Sequence, residues 1–155
     1  SWDRYGMNAL IDRRSFLLGA AGVGLVGCAA DATAPAAGTA RMPEGLAITH
    51  VGAPDCPWCR MWYADARGPW LASPESARVT LLERNVPMFR VIAMESAWPA
   101  DVRWLHDEMR QRGLRIAAPT FTLSEGQTFI AGGAGLQAWN NVILPAVRAR
   151  LAMTA

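Results

Sequence analysis

Leu46-Ala47-Ile48-Thr49-His50-Val51, Gly52-Ala53-Pro54-Asp55 and Cys56-Pro57-Trp58-Cys59-Arg60-Met61-Trp62 follow one another without a gap, and their reading decides the fold. The first run is apolar and contains β-branched residues, so it predicts a strand. Gly52 and Pro54 break it. A helix then begins at Cys56, because Pro57 suits the first helical position, where its missing N–H costs nothing. Cys56 and Cys59 therefore lie one turn apart at the head of a helix, close enough to form and break a disulfide.

Downstream, the first helix runs through Met61, Trp62 and Ala66 and weakens at Gly68-Pro69. Ser73-Pro74-Glu75-Ser76 opens a short helical turn. Residues 86–94, with Phe89, Val91 and Ile92, read as a buried strand, and Pro87 is tolerable at its start. A second long helix is predicted after Pro99. Trp98, Val102, Leu105 and Met109 recur at helical spacing on one face. Asp101 falls in its first turn, Arg110 and Arg112 in its last, and Gly113 is placed to cap it. Residues 119–123 and 128–131 predict a hairpin turning at Glu125-Gly126-Gln127. A loop at Gly132, Gly133 and Gly135 leads into a last helix over residues 136–151, which Pro145 kinks or restarts. The order β, α, β, α, β, β, α implies an α/β domain: a mixed four-stranded central sheet with helices on both faces.

Composition supports one packed domain. The 155 residues are 52% hydrophobic and 18% charged, which excludes a disordered chain. A formal net charge of +2, with no basic run interleaved with aromatics, argues against nucleic acid.

Residues 12–30 read as a targeting segment. Arg13 and Arg14 form a twin-arginine pair ahead of Ser15, Phe16, Leu17 and Leu18. The apolar run that follows is short and diluted by Gly and Ala. A membrane span needs about 20 strongly apolar residues, so export is the better reading. Met7 reads as a start, which leaves residues 1–6 upstream. Leu25-Val26-Gly27-Cys28 resembles a bacterial lipobox, and that resemblance implies lipidation of Cys28 and a membrane anchor. Ordinary cleavage near Ala29-Ala30 is the alternative. The expected layout is an export signal with lipobox over 1–28, a flexible Ala/Thr/Gly/Pro-rich linker over 29–43, and a domain over 44–155. The expected location is the periplasm, as a membrane-anchored lipoprotein.

Cys28 belongs to processing under either reading, so Cys56 and Cys59 are left to pair with each other. A thiolate attacks disulfides and a thiol does not. As N-cap of its helix, Cys56 is placed for the Trp58 and Cys59 amides and the helix dipole to stabilise its anion. Asp55 opposes this if it points inward, and Arg60 faces solvent. Cys56 is thus the expected nucleophile and must be reachable by an incoming molecule. Cys59, buried one turn on, is the expected resolving thiol. Pro57 stiffens the turn. Trp58 offers a flat contact for a partner, or simply packs. His106, beside Asp107 and Glu108, reads as a solvated side chain.

This element order, with Cys-x-x-Cys opening the first helix, resembles the thioredoxin fold over nearly the whole domain. The resemblance implies a cis-proline facing the cysteines, and Ala118-Pro119-Thr120 occupies that place. Backbone at Ala118 would then pair with an extended substrate chain. It also implies a proton acceptor for the resolving thiol at the strand position of His50, six residues before Cys56; the alternative there is a hydrogen-bonded core histidine. Residues 56–65 with Gly68-Pro69-Trp70, and residues 118–123, resemble periplasmic thioredoxins of sulfur-oxidation operons. Gly132 to Gly135 departs from them, lacking a Gly-Tyr-Pro step, and the insert between Trp98 and Arg115 is longer.

The expected function is an exported thiol–disulfide oxidoreductase, a monomer acting as a reductant on protein disulfides and recharged by an envelope redox donor. No cofactor or resident metal is expected. Two alternatives remain open. One is a zinc- or copper-binding module using Cys56, Cys59 and His50, with or without His106. The other is a redox-inactive adaptor with an idle disulfide.

Overall fold

The computed structural model describes residues 42–154, so the signal, the lipobox at Cys28 and nearly all of the linker lie outside the described residues. Strand β1 spans Leu46–Gly52 and is buried along its whole length. Helix α1 covers Pro57–Asp65, and a short α2 follows at Arg67–Leu71. The turn foreseen at Ser73 is a 3-10 segment, Pro74–Arg78. Strand β2 is Thr80–Asn85, helix α3 is Arg103–Gln111, and the hairpin strands are β3, Thr120–Glu125, and β4, Thr128–Ala134. The chain ends in α4, Gly135–Ala138, a π-helical turn, Trp139–Ile143, and α5, Leu144–Met153.

The sheet order is β2-β1-β3-β4. β1 pairs parallel with β2, and antiparallel with β3, which pairs antiparallel with β4. That arrangement, with helices on both faces, is the thioredoxin fold. Alternation along β1 sends neighbouring side chains to opposite faces. Ala47 and Val51 join Val102, Leu105 and Met109 in one apolar cluster, while Leu46 and Ile48 join Trp62, Trp70, Trp139 and Val147 in the other. One face of the central strand is thus covered mainly by α3 and the other by α2 and α5, with α1 contributing Cys59 to the first and Trp62 to the second.

Three details differ from the sequence reading. The second strand precedes residues 86–94. As an edge strand, β2 is half-covered and tolerates Glu83 and Arg84, whereas the apolar 86–94 segment is loop and 3-10 turn whose Val86 and Ile92 fill the core without a ladder. Helix α3 starts at Arg103, and Asp101 instead pairs with Arg84 of β2 (Nε to Oδ2, 2.8 Å). Gly132 and Gly133 are strand, not loop. A Cβ at 132 would lie 2.9 Å from the Phe129 ring and one at 133 would lie 2.7 Å from the Ala138 Cβ, so the two glycines let α4 and Phe129 pack on bare backbone. As foreseen, the last helix restarts at Pro145: α5 begins at Leu144, directly after the π-helical turn, with the proline in its first turn, where a missing N–H costs nothing.

Candidate active site

Cys56 is the N-cap of α1, with extended backbone (φ −86°, ψ 114°) and Pro57 directly after it. Its own amide donates to Ala53 O at 3.1 Å, closing the turn that reverses the chain after β1. The Cys59 amide donates to Cys56 Sγ at 3.1 Å. The expected second amide, from Trp58, does not take part. The two sulfurs are joined in a disulfide with Cα atoms 5.3 Å apart. The Ala118–Pro119 peptide is cis, and Ala118 is buried in the same apolar cluster as both cysteines. The Pro119 carbonyl accepts the Gly135 N–H at 2.7 Å, tying the start of β3 to the end of β4.

Reachability differs from expectation. Cys56 is 0% exposed and Cys59 2% exposed, so the expected nucleophile is covered as fully as its partner. Trp58, 51% exposed, packs on Phe89 with ring centroids 5.6 Å apart. It therefore both packs and faces outward. Phe89 is held by its backbone: Asp55 Oδ1 accepts the Phe89 N–H at 2.6 Å, so Asp55 points to this loop. Trp58, Phe89, Arg115, Ala117, Ala118 and Gly135 line a cleft of about 320 Å³ beside the pair. Arg60 is exposed, as foreseen.

His50 is fully buried, on the same face of β1 as Ile48. Its ring stacks on Trp62 (4.4 Å, 15° between planes), meets Tyr63 edge-on at 5.4 Å and lies 5.2 Å from Phe121. Neither ring nitrogen has a hydrogen-bond partner, so His50 is not the hydrogen-bonded core histidine of the alternative reading. Gly52 explains how it reaches the cysteines. A Cβ there would sit 2.8 Å from His50 Cε1 and 3.2 Å from both His50 Nε2 and Cys59 Sγ, so imidazole and resolving sulfur converge on space that only glycine leaves open. Burial lowers the His50 pKa to about 4, against an upward pull from Glu83 and with a smaller downward push from Arg67.

Glu83 sits directly across from His50 in the β1–β2 ladder. Arg67 grips it with two hydrogen bonds, Nε to Oε1 at 3.0 Å and Nη2 to Oε2 at 2.9 Å, which hold the carboxyl below its ordinary range. Tyr63 is pushed up by its own burial and by the Glu83 charge. Sequence reasoning missed Glu83, Arg67, Tyr63, Gly52 and Phe89. Only the correct position of β2 would have paired Glu83 with His50.

His106 is not solvated. It is 3% exposed, and its Nε2 lies 3.0 Å from Ala93 O. Its ring faces that carbonyl and its neighbouring donor groups are Glu95 and Asp107, so of the four donors of the zinc or copper reading only Cys56, Cys59 and His50 lie together.

No family model matches the chain, and no curated protein matches it. Among solved structures, the chain is similar to thioredoxin f2 of Chlamydomonas reinhardtii at 16% identity, covering 66% of this chain and 78% of that one, with a TM-score of 0.41. It is similar to the germline-specific thioredoxin Deadhead of Drosophila melanogaster at 16% identity over 66% and 80%, TM-score 0.40. A designed protein matches at 13% identity over 70% and 77%, TM-score 0.40.

Proposed function

We propose that this protein is a thiol–disulfide oxidoreductase that acts on protein disulfides in the cell envelope, as a reductant, after export by the segment over 1–28 and with Cys28 as its lipid anchor. The observation that carries the redox reading is the Cys56–Cys59 disulfide at the N-cap of α1, with an amide aimed at the first sulfur. In the reduced form that amide and the helix N-terminus favour the Cys56 thiolate. The thiolate attacks a substrate disulfide, forming Cys56–S–S–R and releasing R′–S⁻. Cys59 gives its proton towards His50 and attacks Cys56 Sγ. The Cys56–Cys59 disulfide forms, R–S⁻ leaves, and two electrons have passed to the substrate. A redox donor then restores the dithiol. Pro57 and Trp58 shape the mouth, and Ala118, ahead of cis-Pro119, offers backbone to an extended substrate chain.

The test is a trap. Cys59→Ser should accumulate mixed disulfides through Cys56, Cys56→Ser should accumulate none, and Cys56→Ser should also abolish insulin reduction. The complete burial of Cys56 favours a second reading, an adaptor whose disulfide is idle. A pair that resists dithiothreitol in the folded protein, with no partner trapped, would establish that reading instead.

A further inference from the structure

A second set of donor side chains lies apart from the cysteines. Glu95, in the 3-10 turn Glu95–Ala97, and His106 and Asp107, on α3, each bring one ligand atom within 4.8 Å of the others. The histidine defines the chemistry. Its Nε2 meets the Ala93 carbonyl, and a carbonyl oxygen can only accept, so Nε2 carries the proton. In the neutral ring Nδ1 is then a bare lone pair. It lies 3.8 Å from Asp107 Oδ1. Both atoms are buried, and neither has a hydrogen-bond partner.

Two acceptors facing each other away from water are unfavourable unless something positive lies between them. A second proton on the ring would draw the pair to roughly 2.7–2.9 Å, and 3.8 Å is too long for that bond. Two ligands on one ion at about 2.1 Å stand roughly 3.4 Å apart in tetrahedral geometry, much nearer to what is seen. The ring is also held as a metal ligand should be, with its far N–H on a backbone carbonyl. Trp98 meets it edge-on at 5.3 Å, and Trp98 is itself fixed by Nε1–H donating to Ile92 O at 2.7 Å. Two arginines share the neighbourhood. Arg110 Nη2 reaches within 3.9 Å of Asp107 Oδ1 from a mostly exposed side chain, and Arg103 is tied to Trp98 O at 3.1 Å. Glu95 and Asp107 together bring two carboxylates to the site.

We propose that His106 Nδ1, Asp107 and Glu95 bind a divalent cation of borderline softness, zinc fitting best, with a further position open to water, and that the ion ties the 95–97 turn to α3. The probe is zinc chloride titrated calorimetrically into the full chain with Cys56–Cys59 oxidised, so that thiolates do not compete. One equivalent should bind. Glu95→Gln and Asp107→Asn, at partly or fully exposed positions, should each weaken binding about tenfold or more. Long-range nitrogen–proton spectra should show the His106 Nδ1 resonance moving with zinc while that of His50 stays. The proposal is overturned if the oxidised protein takes up no zinc, if both variants bind like the wild type, or if zinc binds only after reduction, which would assign it to the cysteine pair.

Discussion

Replacing His50 by Leu tests how the interior around the cysteines is built. Folding takes the imidazole from water, where its pKa is 6.5, to a site where it is about 4. Between those values the unfolded chain binds a proton that the folded chain refuses. The stabilising contribution of the neutral ring is therefore complete above about pH 6.5 and is lost as pH falls towards 4. At ~1.4 kcal/mol per unit, the wild type loses about 3 kcal/mol across that window. Glu83, held ionised by Arg67, stays charged over most of it, so the change belongs chiefly to His50. His50→Leu has no proton to refuse. Its two lost nitrogens had no partners, so at pH 7 the variant should be as stable as the wild type or more so. The assay is urea unfolding of both oxidised proteins from pH 7 to pH 4, with equal m-values as the check on two-state behaviour. The difference between the curves should grow by ~1.4 kcal/mol per pH unit as acid is added. Parallel curves would mean that His50 titrates normally or finds a partner, and the argument from burial would be wrong.

Other perturbations address access and packing. Trp58→Ala removes the ring resting on Phe89, an aromatic contact worth about 0.5–1.5 kcal/mol, so reduction of the disulfide by dithiothreitol should accelerate up to about tenfold; an unchanged rate would show that these rings do not gate Cys56. Asp55→Ala deletes the acceptor of the Phe89 amide, and hydrogen exchange at that amide should rise while α3 stays protected. Gly52→Ala drives a methyl to 2.8 Å from the His50 ring and should cost about 1–3 kcal/mol in urea unfolding; a neutral result would mean that imidazole and sulfur have room to separate.

The strand–helix junction was legible because its residues act locally. Pro57 sets the helical start and the cysteine spacing follows. The burial of Leu105 and Met109 was legible for the same reason, as helical spacing declares a face, whereas Trp98 and Val102 of the same expected stripe are buried ahead of the helix. Edge strand β2 was not. Thr80, Glu83, Arg84 and Asn85 look like a polar loop, because an edge strand needs only one neighbour and half a burial. Losing β2 hid the partner of His50, since that pairing exists only across the ladder. His106 was misread for a related reason. Its charged neighbours suggested solvent, yet it faces Trp98 and Ala93, and only the path of the 86–99 segment reveals that.

The burial that keeps His50 neutral also limits what it can do in the proposed cycle. An ordinary thiol releases its proton near pH 8.5, so handing that proton to an imidazole of pKa about 4 is uphill by ~6 kcal/mol if the two groups are treated as independent. They are not independent. When Cys59 gives up its proton ahead of attack, negative charge appears on a sulfur that flanks the same small space as His50 Nε2, in surroundings of low polarity where such a charge favours protonation of the ring. Glu83, opposite on β2, pulls in the same direction. In the proposed cycle His50 would then be a poor base in the resting disulfide and a better one only while the resolving sulfur is losing its proton. An aspartate in its place would carry its own charge and repel the forming thiolate whenever it was ionised. A neutral histidine would avoid that repulsion, and the Glu83 carboxylate, whose charge raises the His50 pKa, stands one strand away with Arg67 on it.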